Sequence, residues 1–161
     1  MNLSHSAVTP PRPIMIRAAT VEDAAGLVPL MATLGYPLPA AVIAGRIVAL
    51  EARDPTGTIL VATRGTLILG CATLHATPVL HRPIAVGRIT GLSVAAEAQG
   101  TGVGRLLTAA AEHLFAAQGL SRIEVTSGPT HLTAHGFYRH LGYEDEGVRF
   151  AKALVPRPTA D

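Results

Sequence analysis

The sequence is poor in residues that crosslink a chain or fill its core with aromatic rings. Among 161 residues it has no tryptophan, three phenylalanines, three tyrosines and one cysteine. A single cysteine excludes an intramolecular disulfide framework. We expect Cys71 to be a small core residue rather than a nucleophile, because buried free cysteines are common. With 48% hydrophobic residues, the chain is predicted to fold as one domain with an aliphatic, alanine-rich core.

Lysine is nearly absent, and the twelve arginines are scattered, giving a net charge of +2. The chain has no basic tract interleaved with aromatic residues, so we expect no nucleic-acid partner. A weakly positive surface suits a phosphorylated ligand as well. No apolar run approaches the length of a membrane span, and the first thirteen residues, "MNLSHSAVTPPRP", lack the pattern of a signal peptide. We therefore expect a cytoplasmic protein with no membrane partner, a flexible leader over residues 1–13 and a flexible tail over 155–161.

Hydrophobic periodicity and turn residues predict an order β-α-α-β-β-β-α-β-α-β, a mixed α/β or α+β domain. Thr20 is an expected N-cap with Asp23 at the capping-box position, and Pro29 is expected to kink or split the first helix. The predicted strands span 14–20, 58–64, 67–76, 88–95, 121–127 and 147–154, and the predicted helices span 21–35, 40–53, 102–118 and 128–142.

The segment "EAQGTGVGRLL", residues 97–107, places three glycines where a helix begins. The N-terminus of a helix presents unpaired N–H groups and the positive end of the dipole. Glycines let the backbone curl around an anion without Cβ obstruction, so the turn suits a phosphate. The P-loop pattern fails for lack of its lysine, and the dinucleotide pattern G-x-G-x-x-G fails at its last position. Gln99, Gly102 and Gly104 instead follow the pattern Q-x-x-G-x-G. The alternative to a phosphate-binding turn is a glycine-rich connection that binds no ligand.

Two segments together resemble the GNAT N-acetyltransferase superfamily. "RITGLSVAAEAQGTGVGRLLTAAAEHLFAAQGLSRIEV" is similar to the family's motif A, a strand, a pyrophosphate turn, a long helix and a strand. "TAHGFYRHLGY" is similar to motif B, usually A-x-x-F-Y-x-x-L-G-F/Y. The resemblance covers residues 14–154. The matched positions of motif B are Ala134, Phe137, Tyr138, Leu141, Gly142 and Tyr143.

The resemblance implies a GNAT fold, in which a mixed, largely antiparallel sheet is splayed between two parallel strands and flanked by helices. It also implies that acetyl-coenzyme A binds in the V-shaped opening between those strands. Its pantetheine arm would pair with the backbone of the first strand, its pyrophosphate would lie on the glycine turn, and Arg105 would add charge there. The implied coenzyme-binding residues are Leu92, Ser93, Val94, Gln99, Gly100, Thr101, Gly102, Val103, Gly104, Arg105 and His131.

The family transfers an acetyl group directly to a neutral amine, and a backbone N–H, here that of Val94, would polarise the carbonyl. By resemblance Tyr138 protonates the leaving thiolate. The family's strand glutamate is replaced by Thr90, so Glu124 and His135 stand as candidate acid–base groups, each weighed against a packing or surface role. His131 replaces the family's asparagine before motif B. "HLTAH" lacks the glutamate of H-E-x-x-H, so we expect no metal.

The interpretation is an acetyl-CoA-dependent N-acetyltransferase acting on a primary amine of a small molecule or peptide. Two alternatives remain open: a non-catalytic acyl-CoA-binding sensor or regulatory protein on the same fold, and a protein–protein module with no coenzyme affinity. The family often forms homodimers, but nothing in the sequence fixes the oligomeric state. His75 is expected either in a loop or facing the acceptor cleft.

Overall fold

A computed structural model of the chain describes residues 12–54, 57–128, 130–147 and 149–152. The chain divides into two compact units, Met1–Val125 and Thr126–Asp161. The expected leader over 1–13 lies almost wholly outside the described residues, and the expected tail over 155–161 lies outside them entirely. The first unit contains strands β1 (Met15–Ala18), β2 (Thr58–Arg64), β3 (Leu67–Thr77), β4 (Val86–Val94) and β5 (Ile123–Val125), with helices α1 (Ala24–Thr33), α2 (Ala40–Arg53) and α3 (Val103–Ala117).

The five strands form one sheet in the order β1-β2-β3-β4-β5. Neighbours from β1 to β4 are antiparallel, and β4 and β5 are parallel. A parallel pair needs a long crossover, and α3 provides it between these two strands. The predicted mixed, largely antiparallel sheet flanked by helices is therefore confirmed.

Alternating strand residues supply a hydrophobic core on each face of the sheet. Leu74 and Ile89 pack with Leu107 of α3 on what we call the α3 face. Cys71 and Val61 pack with residues of α1 and α2 on the opposite face, the α1–α2 face. Successive side chains of a strand point to opposite faces of the sheet. Residues 71, 73 and 75 of β3 therefore belong to the α1–α2 face.

The start of α1 follows the predicted capping pattern. Asp23 accepts a hydrogen bond from the Thr20 N–H at 2.8 Å and two from the Arg17 guanidinium at 2.6 and 2.8 Å. The hydrogen bonds from Arg17 are the main cause that lowers the pKa of Asp23. A single turn of 3-10 helix, Val21–Asp23, precedes α1. The helix itself is continuous through Pro29, so the expectation that proline splits it is wrong.

The second unit contains helix α4 (Leu132–His140), followed by Gly142 at φ +88°, a left-handed conformation in which glycine commonly ends a helix. The predicted strand over 147–154 is wrong where the structure describes it, because residues 147 and 149–152 are irregular and exposed. Phe150 is 91% exposed. Alternating sequence alone does not supply the neighbouring strand that a ladder needs.

No helix in the part of the chain that the structure describes combines the length and apolar character needed to cross a membrane.

Candidate active site

A β-bulge in β4 marks the point where the two parallel strands separate. Against β3, Leu74 pairs with Ile89 and Thr73 with Gly91, so Thr90 has no opposite residue. Against β5, pairing covers Gly87, Arg88 and Ile89 and ends at Val125. A bulge bends its strand and increases the local twist. Beyond Ile89, within the described residues, β4 therefore continues with one edge that no strand pairs.

The backbone groups on this open edge can be identified from their neighbours. The Ala95 N–H donates to Leu69 O of β3 at 2.9 Å. Because backbone groups of successive strand residues point to alternate sides, the N–H groups of Leu92 and Val94 point away from β3. The Gln99 side-chain amide reaches the Val94 carbonyl at 3.3 Å, consistent with that orientation. The edge thus offers the donors and acceptors that an extended ligand can pair with, as an added strand would.

The glycine turn follows directly after this edge and leads into α3. Gly100 and Gly102 have φ of +75° and +88°, and a Cβ built on either would meet nothing within 4 Å. Gly102 is the N-cap of α3. The peptide dipoles of this 15-residue helix add up, and the positive end of the helix dipole lies at the turn. Positive φ explains why both positions are glycine, and the open space beside them leaves room for an anion.

Side-chain hydrogen bonds fix the end of β4 and the turn. Ser93 is buried and its hydroxyl donates to Leu30 O at 3.1 Å, which ties β4 to the end of α1. The Thr101 hydroxyl donates to Ala98 O at 2.6 Å within the turn. The predicted coenzyme residues of the first unit follow one another along the strand edge, the turn and the first helical turn, but the side chains of Ser93 and Val103 are buried and only their backbone could contact a ligand. Arg105 is exposed on that helical turn.

Glu124 lies on β5 between two arginines. It accepts from Arg122 Nε at 2.9 Å and lies 3.4 Å from an Nη atom of Arg88, its cross-strand partner. Both carboxylate oxygens thus contact guanidinium groups. This arrangement favours an ion-pair role at the paired end of the strands over the predicted base role, because a base needs an oxygen directed at the acceptor.

Tyr138 is half-buried in the second unit, in an aromatic cluster. Its ring makes edge contacts with Phe137 at 5.1 Å and with Tyr143 at 5.5 Å between centroids. Burial raises the pKa of Tyr138 to about 12. An unshifted phenol is also protonated at neutral pH, so the raised pKa reports the burial of the ring and does not distinguish a proton donor from a packing residue.

The two histidines of "HLTAH" have separate structural positions in the second unit. His131 is the exposed N-cap residue of α4, and its ring lies 3.8 Å from where a Cβ on Gly128 would be. His135 Nε2 lies 2.9 Å from the Gly128 carbonyl. Because a carbonyl only accepts, Nε2 carries the proton and holds the loop before α4. No group of His, Cys, Asp or Glu that could hold a metal occurs among the described residues.

His75 lies in a strand, so the loop position considered for it is wrong. It belongs to β3, opposite Arg88 of β4, and its Nδ1 lies 2.9 Å from Asp54 Oδ2. The two residues are 21 positions apart, and Asp54 is the C-cap of α2. Sequence reasoning missed this pair because no local spacing connects the end of α2 with the middle of β3.

The family model for the acetyltransferase (GNAT) family matches residues 34–143, more than half of the chain. The chain therefore belongs to the GNAT family. The match begins at the end of α1 and includes the open strand edge, the glycine turn and α4, and the predicted GNAT fold is confirmed.

One enzyme is similar to this chain in sequence, and one solved structure is similar to it in fold. The chain is 32% identical over 101 residues to the aminoalkylphosphonate N-acetyltransferase of Salmonella typhimurium, covering 63% of this chain and 66% of that enzyme. The match thus spans just under two thirds of the relative's length. The crystal structure of a transcriptional regulator from Bacillus halodurans is similar at 26% identity and TM-score 0.75, covering 87% of this chain and all of that one.

The enzyme AAC(6')-Iy, solved with the bisubstrate analogue CoA-S-monomethyl-acetylneamine, shares the fold. Its TM-score is 0.76 at 17% identity, and the similarity covers 89% of this chain and 99% of that one.

Cys71 is buried in the α1–α2 core and does not form part of the open edge. It lies opposite Ser93 in the pairing of β3 with β4, and the residue is 2% exposed. Burial raises the pKa of the Cys71 thiol to about 12. A protonated, inaccessible thiol is a poor nucleophile, so the core role expected from the sequence agrees with its position.

We predict that Cys71 does not react in the folded protein. At about pH 8 a disulfide reagent such as dithionitrobenzoate should leave the native chain unlabelled, because the thiol is protonated and buried. The unfolded chain should release one equivalent, matching its single cysteine. Labelling of the native chain as fast as of the unfolded chain would contradict this and would make Cys71 a candidate nucleophile.

Proposed function

We propose that this chain is an acetyl-CoA-dependent N-acetyltransferase that acts on a primary amine of a small molecule or peptide. The observation that carries the proposal is the open edge of β4, which ends in the positive-φ glycine turn at the start of α3. The family membership supports the class of reaction, and the turn supports a donor that carries a pyrophosphate. We further propose that the protein acts without a metal.

The coenzyme would bind along the open edge and the turn. Its pantetheine amides pair with the Leu92 and Val94 backbone groups, with Ser93 between them held by its own hydrogen bond to α1. Its pyrophosphate lies on the turn from Gln99 to Gly104, where N–H groups and the helix dipole stabilise negative charge. Arg105 adds a cation at the same end. His131 is included among the proposed contacts on the family resemblance alone.

The acetyl group is proposed to pass directly from acetyl-coenzyme A to the amine while both are bound to the protein in a ternary complex. A neutral amine attacks the acetyl carbonyl, the new C–N bond forms and the C–S bond breaks. A backbone N–H on the open side of β4 that does not pair with the pantetheine arm donates to the developing oxyanion. By family resemblance Tyr138 gives a proton to the departing thiolate and regains one from solvent, and the attacking nitrogen loses its proton to a base.

The acceptor is proposed to be a small amine, and an aminoalkylphosphonate is the first to test. The name of the 32% identical relative supports that choice. An alkylamine of equal length without the phosphonate group is the matched comparison.

The second candidate is a non-catalytic sensor that binds acyl-coenzyme A. It is favoured by the relative described as a transcriptional regulator. The two functions separate in one assay, the release of coenzyme A thiol with a panel of amines. An enzyme releases thiol continuously with at least one amine, whereas a sensor binds the donor without amine-dependent release.

We predict that Gly102→Ala weakens coenzyme A binding and that Gly119→Ala does not. Both glycines have positive φ, +88° and +78°, with open space at the Cβ position, and they lie at opposite ends of α3. Each substitution should therefore cost a similar backbone strain, about 1–2 kcal/mol. Only Gly102 lies where the pyrophosphate is proposed to bind, and loss of a hydrogen bond to a charged group weakens binding about ten- to a hundredfold.

Calorimetric titration with coenzyme A measures both variants, and thermal unfolding verifies equal loss of stability. Wild-type affinity in a folded Gly102→Ala chain would show that the pyrophosphate binds elsewhere.

We predict that Tyr138→Phe lowers turnover about ten- to a thousandfold, at or below the usual range for acid–base groups. The change keeps the ring contacts and removes only the hydroxyl, so acetyl-CoA affinity should hardly change. Tyr143→Phe is the matched control, because it removes a hydroxyl from the neighbouring ring of the same cluster. Steady-state kinetics across pH compares them. If Tyr138→Phe turns over like wild type at every pH, water rather than Tyr138 protonates the thiolate.

A further inference from the structure

The side chains of Asp54 and His75 form a pair whose geometry resembles that of an oriented base. His75 Nδ1 lies 2.9 Å from Asp54 Oδ2, and the side chains are 31% and 32% exposed. The pair is thus neither sealed in the core nor free in solvent. Asp54 ends α2, and His75 lies within β3, so two rigid elements set the distance.

The pair fixes where the imidazole carries its proton. An ionised carboxylate can only accept hydrogen bonds, so Nδ1 donates to Asp54. In the neutral ring Nε2 then has a free electron pair and is the only nitrogen that can take a proton. A carboxylate that selects the tautomer and orientation of a histidine base is the arrangement found in hydrolytic triads.

His75 lies close to the point where β4 and β5 separate. On the α1–α2 face, His75 pairs with Arg88, and Arg88 pairs with Glu124, so the three form one row across β3, β4 and β5. This row is the last but one before β5 ends. One further row, of Leu74, Ile89 and Val125, separates it from the bulged Thr90 and the start of the open edge. His75 thus lies one strand away from the open edge, on the face that α1 and α2 cover.

The proposed reaction requires a base that the β4 strand does not supply. An acceptor amine is protonated at neutral pH and must lose a proton before or during attack. Thr90 cannot accept that proton, and both oxygens of Glu124 are held by Arg88 and Arg122. Of the candidate groups on this face, His75 combines partial exposure with an orienting carboxylate.

We propose that His75 is the general base of this protein and that Asp54 is its positioning residue. The inference rests on the acetyl transfer proposed above. His75 Nε2 takes a proton from the acceptor ammonium or from the amine as it attacks. The nitrogen lone pair forms the C–N bond, the C–S electrons leave with sulfur, and the thiolate takes its proton from Tyr138 or water. His75 then releases its proton to solvent.

The charges around His75 bear on its pH dependence. Asp54 faces it from the end of α2, and Arg88 lies opposite it on β4, with the carboxylate of Glu124 balancing that arginine. The charged groups that face His75 are therefore the Asp54 carboxylate and the Arg88 guanidinium, which is itself paired with Glu124. A base that must be neutral gives a rate that falls toward acid, so the wild type should show an acidic limb in kcat/KM.

The experiment compares His75→Gln and Asp54→Asn with His113→Gln, a histidine on the exposed side of α3. We expect His75→Gln to lower kcat/KM for the amine about a hundred- to ten-thousandfold, to move the acidic limb toward the higher pKa of the acceptor ammonium, and to bind coenzyme A like wild type. Asp54→Asn should show a smaller loss in kcat, and His113→Gln none. In His75→Ala, added imidazole should restore part of the rate, because it can replace the missing base but not a missing packing contact.

The outcomes separate the two levels of the proposal. Wild-type kcat/KM and an unchanged acidic limb in His75→Gln, or a His75→Ala chain that binds coenzyme A and is not rescued by imidazole, overturn the base role of His75 alone. A wild-type chain that binds coenzyme A but acetylates no amine overturns the proposed enzyme function, and the base role falls with it. If His75→Gln fails to fold, the rate loss and imidazole rescue in His75→Ala decide the matter.

Discussion

The separation of β4 from β5 is the constraint on which the rest of the molecule depends. Parallel pairing ends at Ile89 and Val125, and the bulge at Thr90 directs β4 away from its neighbour. Backbone groups left unpaired in a folded chain must find partners in solvent or in a ligand. The open edge therefore has the unpaired donors and acceptors that the proposed coenzyme site requires, before any side chain is considered.

The surrounding contacts keep that edge in place. Gly70 pairs with Val94, and a Cβ on Gly70 would lie 2.8 Å from the Ser93 carbonyl, so only glycine allows this close approach. The Ser93 hydroxyl connects the strand to α1, and the Gln99 amide connects the turn to Val94. These contacts hold a preformed edge and turn, and a preformed site loses less entropy when a ligand binds.

Sequence patterns predicted what depends on near neighbours. The bounds of α2 match the prediction, and the β2–β3 hairpin, the glycine turn and the stop after α3 follow from residues a few positions apart. Features that depend on register could not be predicted. The bulge at Thr90, the Arg88–Glu124 pair and the Asp54–His75 pair arise only when strands and helices from distant segments meet. The predicted strand over 147–154 shows the same limit at the residues that the structure describes there, because alternation does not supply a partner strand.

The central claim is that coenzyme A binds along the open edge of β4 and the glycine turn. Amide hydrogen exchange of the full chain, with and without saturating coenzyme A, tests it most directly. The account predicts slower exchange for peptides that span residues 91–105, with α2 (Ala40–Arg53) unchanged as an internal reference. Unchanged exchange over 91–105 when coenzyme A is demonstrably bound, or slowing confined to other segments, would contradict it.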